Sequence, residues 1–124
     1  KKQTEILDKI VQTISQKHSR SSIVFMATLA PNSKRYAEGT TNLLPEQRQK
    51  WANERLAYIK NHIQYAKDNN IPLINIYEKS LDSQGDGNID FIDTTDFIHP
   101  SPSGVYLISE EIAKYIFINK LIPD

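Results

Sequence analysis

The sequence predicts an α/β fold in which a parallel sheet carries helices on its faces. Two observations support this. Segments of helical periodicity alternate with short apolar runs, and those runs, "SSIVFMATLA" and "IPLINIY", are not interleaved with charged residues. A strand with one wet face alternates apolar and polar residues, whereas a strand covered on both faces is apolar throughout, as in parallel sheets. The order helix, strand, loop, helix, strand, loop, helix fits parallel neighbours joined by crossover helices.

Each element has a local cause. Over residues 4–17, Ile6, Leu7, Ile10, Val11 and Ile14 recur at three-to-four spacing and form one stripe of an amphipathic helix, with Lys17 and His18 at its electronegative end. Residues 21–30 form the first strand, and "PNS" stops it. Residues 32–44 lack periodicity and include Gly39 and several Thr and Asn, so they read as a long surface loop of the kind that borders clefts. A long helix follows over residues 45–69. Pro45 suits its first turn, Glu46 follows, and Trp51, Leu56, Ile59, Ile63 and Ala66 form the buried stripe until "KDNN" closes it. Residues 71–77 are the second strand. The polar stretch "EKSLDSQGDGNIDFIDTTD" leads to a third helix over residues 103–121, capped by Ser103, with Val105, Ile108, Ile112 and Ile116 facing inward.

Two strands cannot bury three amphipathic helices, since a sheet of this type has about five or six strands. The chain also opens on Lys1 and runs straight into a helical pattern. The expectation is that further strands lie upstream of Lys1 and that residues 1–124 are the C-terminal portion of a single domain.

Composition removes several classes of function. Fifteen basic residues balance fifteen acidic ones, so no global field recruits nucleic acid or an anionic membrane. The absence of cysteine removes disulfides, zinc-thiolate sites and a cysteine nucleophile, and fits a cytoplasmic or a secreted protein equally. No apolar run approaches the roughly 20 residues that span a bilayer.

The string "TTDFIHPSPSGVYLISEEIAKYI" carries the chemistry, because Asp96 and His99 stand three apart on a loop that leads into a helix. One turn can place the carboxylate beside the imidazole. An ionised Asp96 then fixes the tautomer of His99 and stabilises the imidazolium, leaving the second nitrogen to take a proton from a hydroxyl. Pro100 and Pro102 stiffen the segment, and Gly104 allows close backbone approach where the helix begins. Ser101 and Ser103 lie too close to His99 in sequence to align as its nucleophile. His18 and His62 read as helix-surface residues. Trp51, Tyr58, Tyr65, Tyr106 and Tyr115 read as packing rather than a ligand platform.

The block "DFIHPSPSG" followed by an amphipathic helix resembles the last block of the SGNH (GDSL) hydrolases, and the upstream order, with "FMATLAP", "WANERLAYI" and "INIY", is similar to that family along nearly the whole chain. The resemblance implies a three-layer flavodoxin-like parallel sheet with its site at the C-terminal strand edges. It implies a serine ester hydrolase, a GDSL-type esterase, lipase or acetylesterase, with Asp96 and His99 as catalytic residues and no cofactor required. It also implies a Gly-Asp-Ser nucleophile and oxyanion donors from a glycine and an asparagine. Neither Gly-Asp-Ser nor Gly-x-Asn-Asp occurs here. An upstream segment of the same protein is therefore expected to supply them, leaving these residues inactive alone, and the substrate is expected to be a small acyl ester or an acylated saccharide. The alternative is a non-catalytic carbohydrate- or surface-binding module on the same scaffold.

A second pattern runs from Asp82 to Asp93. "DSQGDGNIDFID" follows the twelve-residue calcium loop with Asp82 first, Asp86 fifth, Gly87 sixth, Ile89 eighth and Asp90 ninth. Gln84 at the third position and the short Asp93 at the twelfth depart from it. Bound calcium here would brace the loop that holds Asp96 and His99.

Overall fold

The computed structural model describes residues 2–122; Lys1, with which the sequence opens, lies outside them, as do Pro123 and Asp124. Helix α1 (Lys2–Lys17) leads to strand β1 (Phe25–Ala27), helix α2 (Pro45–Asp68), strand β2 (Leu73–Asn75), the one-turn helix α3 (Ile76–Lys79), a 3₁₀ turn at Ile89–Phe91 and helix α4 (Pro102–Ile118). The strands pair in parallel, with Phe25 opposite Leu73, Met26 opposite Ile74 and Ala27 opposite Asn75.

The three-layer flavodoxin-like sheet is not what these residues form. Among the described residues the sheet has two strands of three residues each, set in a mostly helical chain. Local hydrogen bonds cut both strands short. The Asn75 side chain accepts from the Glu78 N–H and caps α3, so "INIY" turns helical after its second residue. Beyond β1, the Ala30 N–H donates to the buried Ser80 hydroxyl at 2.8 Å, which in turn donates to the Tyr77 carbonyl. A side chain from α3's end thus takes the place of a ladder partner.

The core lies where α1 and α2 meet the sheet. Leu7, Phe25, Tyr65 and Ala66 form it, with Val11, Ile23, Ile71 and Leu73 around them. Phe25 stacks on Tyr65 at a centroid distance of 5.8 Å and receives the edge of His62 at 4.6 Å. The Tyr65 hydroxyl donates to Asp8 at 2.8 Å and joins α2 to α1. His62 is therefore half-buried rather than on the surface, and burial lowers its pKa.

Helix stripes are narrower than the sequence implies. Ile59 and Ala66 of α2 are buried, but Trp51 is 46% exposed, and Ala52 and Tyr65 fill the inner face instead. On α1, Ile6 and Ile10 are exposed beside the buried Leu7. Helix α4 begins one residue earlier than expected, at Pro102, and its cap is Ser101, whose hydroxyl accepts from the Gly104 N–H at 3.1 Å. Val105 is exposed, while Ile108, Ile112 and Ile116 are half-buried. Glu111 of α4 pairs with Lys79 of α3 at 2.5 Å. No described helix is long and apolar enough to cross a membrane.

Gly104 is the buried residue of α4, and a Cβ there would overlap the Phe91 carbonyl and press on Leu29. Gly104→Ala is expected to lose about 1–3 kcal/mol of stability in urea denaturation. Ser101→Ala is expected to lose about 1 kcal/mol; no change in either would show that α4 does not need this seat.

A candidate acid–base site on the loop before the last helix

The segment between the 3₁₀ turn and α4 is a closed loop. Ile92 and Pro100 form an antiparallel bridge across its neck, and the Asp93 N–H donates to the His99 carbonyl at 2.8 Å. Inside it, the Phe97 N–H donates to the Asp93 carbonyl, also at 2.8 Å. The Asp93 carboxylate accepts from the Thr95 N–H and hydroxyl, and these bonds hold its pKa below the ordinary value. Aspartate accepting from the amide two residues on is a favoured turn starter.

Phe97 sets the shape. Its φ of 53° is left-handed, a conformation disfavoured for a residue with a Cβ. The ring is buried, and the Arg35 guanidinium lies 4.3 Å over its centroid, so packing and a cation–π contact offset the backbone cost. Arg35 also pairs with Glu38. Gly39, at φ 93°, comes so close to the Thr95 carbonyl that a side chain there would collide with it. The loop at 32–44 thus abuts the Asp96 loop, and Arg48 of α2 fixes it by donating to the Tyr36 and Leu43 carbonyls.

This conformation brings Asp96 and His99 together. Asp96 Oδ1 accepts from the N–H groups of Ile98 at 2.8 Å and His99 at 3.0 Å, and Oδ2 lies 2.5 Å from His99 Nδ1. The His99 and backbone hydrogen bonds pull the Asp96 pKa down to about 2, and the Asp96 hydrogen bond and charge raise that of His99. An ionised carboxylate only accepts, so Nδ1 carries the hydrogen and, in the neutral ring, Nε2 presents its lone pair. The Asp96 side chain is 17% exposed and that of His99 75%. The second nitrogen therefore faces open space.

Both chain neighbours of His99, Ile98 and Pro100, line a cavity of about 290 Å³ that extends to residues 28–31 after β1 and to Tyr36, Arg55 and Ile108. The serines that follow His99 serve the helix. The Ser101 hydroxyl donates to the Asp90 carbonyl at 2.6 Å while it caps α4, and Ser103 is exposed in the first turn. His18 is exposed beyond the end of α1.

In the calcium-like stretch the Asp82 and Asp86 carboxylates accept from protein donors. Asp82 Oδ1 accepts from the N–H groups of Gln84 and Asp86, and the Asp86 carboxylate accepts from the Ser33 N–H, the Ser33 hydroxyl and the Gly87 N–H. Gly85, not Gly87, has the positive φ of 81°. Gly87 instead packs tightly against the Ala30 and Pro31 backbone. Among the described residues no cluster of three or more His, Cys, Asp or Glu is arranged to hold a metal ion.

Sequence reasoning missed Phe97, Arg35 and Asn32. Asn32 is buried, accepts from the Lys34 and Arg35 N–H groups and donates to the Gly87 carbonyl at 2.8 Å, tying the loop after β1 to the Asp86 turn. The signal was present in "PNS", where Asn after Pro at a strand end favours a side-chain-closed turn. No protein-family model, curated protein or solved structure matches the chain.

The His99 ring is expected to titrate above 6.5, its ordinary value, when followed by NMR. Asp96→Asn is expected to bring it back toward that value, and an unchanged titration would dissolve the pair. Excess calcium and excess EDTA are each expected to leave the melting temperature unchanged, because Asp82 Oδ1 and both Asp86 carboxylate oxygens already have protein donors; a rise with calcium would restore a metal to this loop.

Proposed function

We propose that this chain carries the acid–base half of a serine ester hydrolase of the SGNH type, with the nucleophilic serine and the oxyanion donors supplied by a segment outside these residues. The reading rests on the Asp96–His99 loop and not on the sheet. Its carrying observation is that the contact between Asp96 Oδ2 and the His99 ring is not needed to close the loop. The backbone bonds from Asp93 to the His99 carbonyl and from Phe97 to the Asp93 carbonyl already do so. An ion pair this exposed is screened by water and adds little stability. An imidazole held by a carboxylate, with its other nitrogen open, is the arrangement a general base requires.

In this mechanism His99 Nε2 takes the proton as the serine oxygen attacks the ester carbonyl, then delivers it to the departing alcohol. Water repeats the sequence on the acyl-enzyme. Asp96 keeps the ring oriented and stabilises its cationic form without itself becoming protonated. The substrate class is a small acyl ester or an acylated saccharide, and the chemistry requires no metal.

A second reading, a non-catalytic carbohydrate-binding module, draws on a groove between α2 and the Asp86 turn whose lining includes Gln49, Asn53 and Gln84. That reading gives the Asp96–His99 pair no role.

His99→Ala in the intact protein is expected to abolish nearly all hydrolysis of p-nitrophenyl acetate, and Asp96→Asn to lower kcat by on the order of 10³–10⁴-fold. Retention of most activity by His99→Ala would exclude the mechanism. Since only the neutral ring accepts a proton and the His99 pKa is raised, kcat/KM is expected to climb with pH through a midpoint above 6.5.

A further inference from the structure

We propose that the cavity beside His99 receives a short acyl chain that ends in a carboxylate, and that Arg55 recognises that end. The inference rests on the ester-hydrolase reading and adds a substrate class to it. The cavity has two chemically distinct parts. Leu29, Ile92, Ile98 and Ile108 give it an aliphatic wall, while Tyr36 and Arg55 bring a phenol and a guanidinium to its lining. Its volume of about 290 Å³ lies at the small end of ligand sites. That suits a short chain better than a long fatty acyl group.

Arg55 differs from the other arginines around the loop. Arg35 is bound to Glu38 and lies over Phe97, and Arg48 donates to the Tyr36 and Leu43 carbonyls. Each is occupied in holding the fold. Arg55, from the middle of α2, has no ion-pair partner among the described residues. A guanidinium stays charged at any working pH, and its planar fork matches a carboxylate with two parallel hydrogen bonds. A ligand complementary to the lining is aliphatic along its length and anionic at its tip. The cavity wall includes Ile98 and Pro100, the chain neighbours of His99, so a chain seated there lies beside the Asp96–His99 loop.

The test compares two esters of equal acyl length with the intact protein, p-nitrophenyl hydrogen glutarate and p-nitrophenyl pentanoate, which differ at the chain tip in a carboxylate for a methyl. The glutarate ester is expected to have a kcat/KM about tenfold higher. Arg55→Ala is expected to remove that preference through KM, and Arg55→Lys to restore part of it. Equal turnover of the two esters, or an equal loss on both in Arg55→Ala, would overturn the proposal while leaving the hydrolase reading intact. If neither ester is turned over, the hydrolase reading fails on its own, and calorimetry with glutaramate still decides the site. Binding about tenfold tighter than that of pentanamide, and lost in Arg55→Ala, supports it, whereas no difference between the two amides rejects it. Arg55 is exposed on α2, so its loss is not expected to disturb folding, and an unchanged melting temperature checks this.

Discussion

The site depends on one carboxylate that accepts three N–H groups. Asp96 Oδ1 takes the amides of Ile98 and His99, and Oδ2 takes the His99 ring nitrogen. One oxygen shapes the backbone and the other orients the imidazole, so the turn and the tautomer share a cause. Hydrogen bonds to the charged form also keep the group ionised, with its pKa down to about 2. A neutral side chain in its place could still bond the amides, but would give the imidazolium no compensating charge.

For Asp96 to reach both amides, the chain must reverse at the residue between, and Phe97 does so in a left-handed conformation. Glycine would adopt it without steric cost but would bring no side chain to hold it. Phenylalanine brings a buried ring, and Arg35 over that ring couples the turn to the loop after β1. Ala37 and Gly39, both left-handed, let that loop approach the carbonyls of Phe97 and Thr95. Gly104 does the same from below by letting α4 sit against the Phe91 carbonyl. The Asp96–His99 pair is thus exposed at its tip and fixed at its foot by packed backbone.

The parts legible in the sequence were those set by periodicity or by short-range bonding. All three long helices appear where apolar spacing put them, and the three-residue separation of Asp96 and His99 does close into a pair. What could not be read depends on competition between distant groups. An apolar run does not reveal how far a strand continues, and here Ser80 and Asn75 end the two strands by supplying side-chain partners. The cap of α4 was misplaced by two residues because Ser101 and Ser103 flank Pro102. Proline at the first helical position favours the serine before it. In the calcium-like stretch, Ser33, about fifty positions earlier, supplies donors to Asp86 that no local spacing could disclose.

Exposure of His99 has a chemical consequence of its own. With its side chain 75% open to water, the ring has little burial to oppose the charge of Asp96, so its pKa stands above the ordinary value. In the proposed mechanism that shift works against the neutral ring, the form that accepts a proton. Within the proposed mechanism, an ester bound against His99 would displace water from the ring. Desolvation penalises the imidazolium and pushes the pKa down, against the Asp96 carboxylate that pushes it up. Some desolvation already opposes Asp96 in the free protein, and further loss of water would strengthen that opposition, which favours the neutral ring when a proton must move.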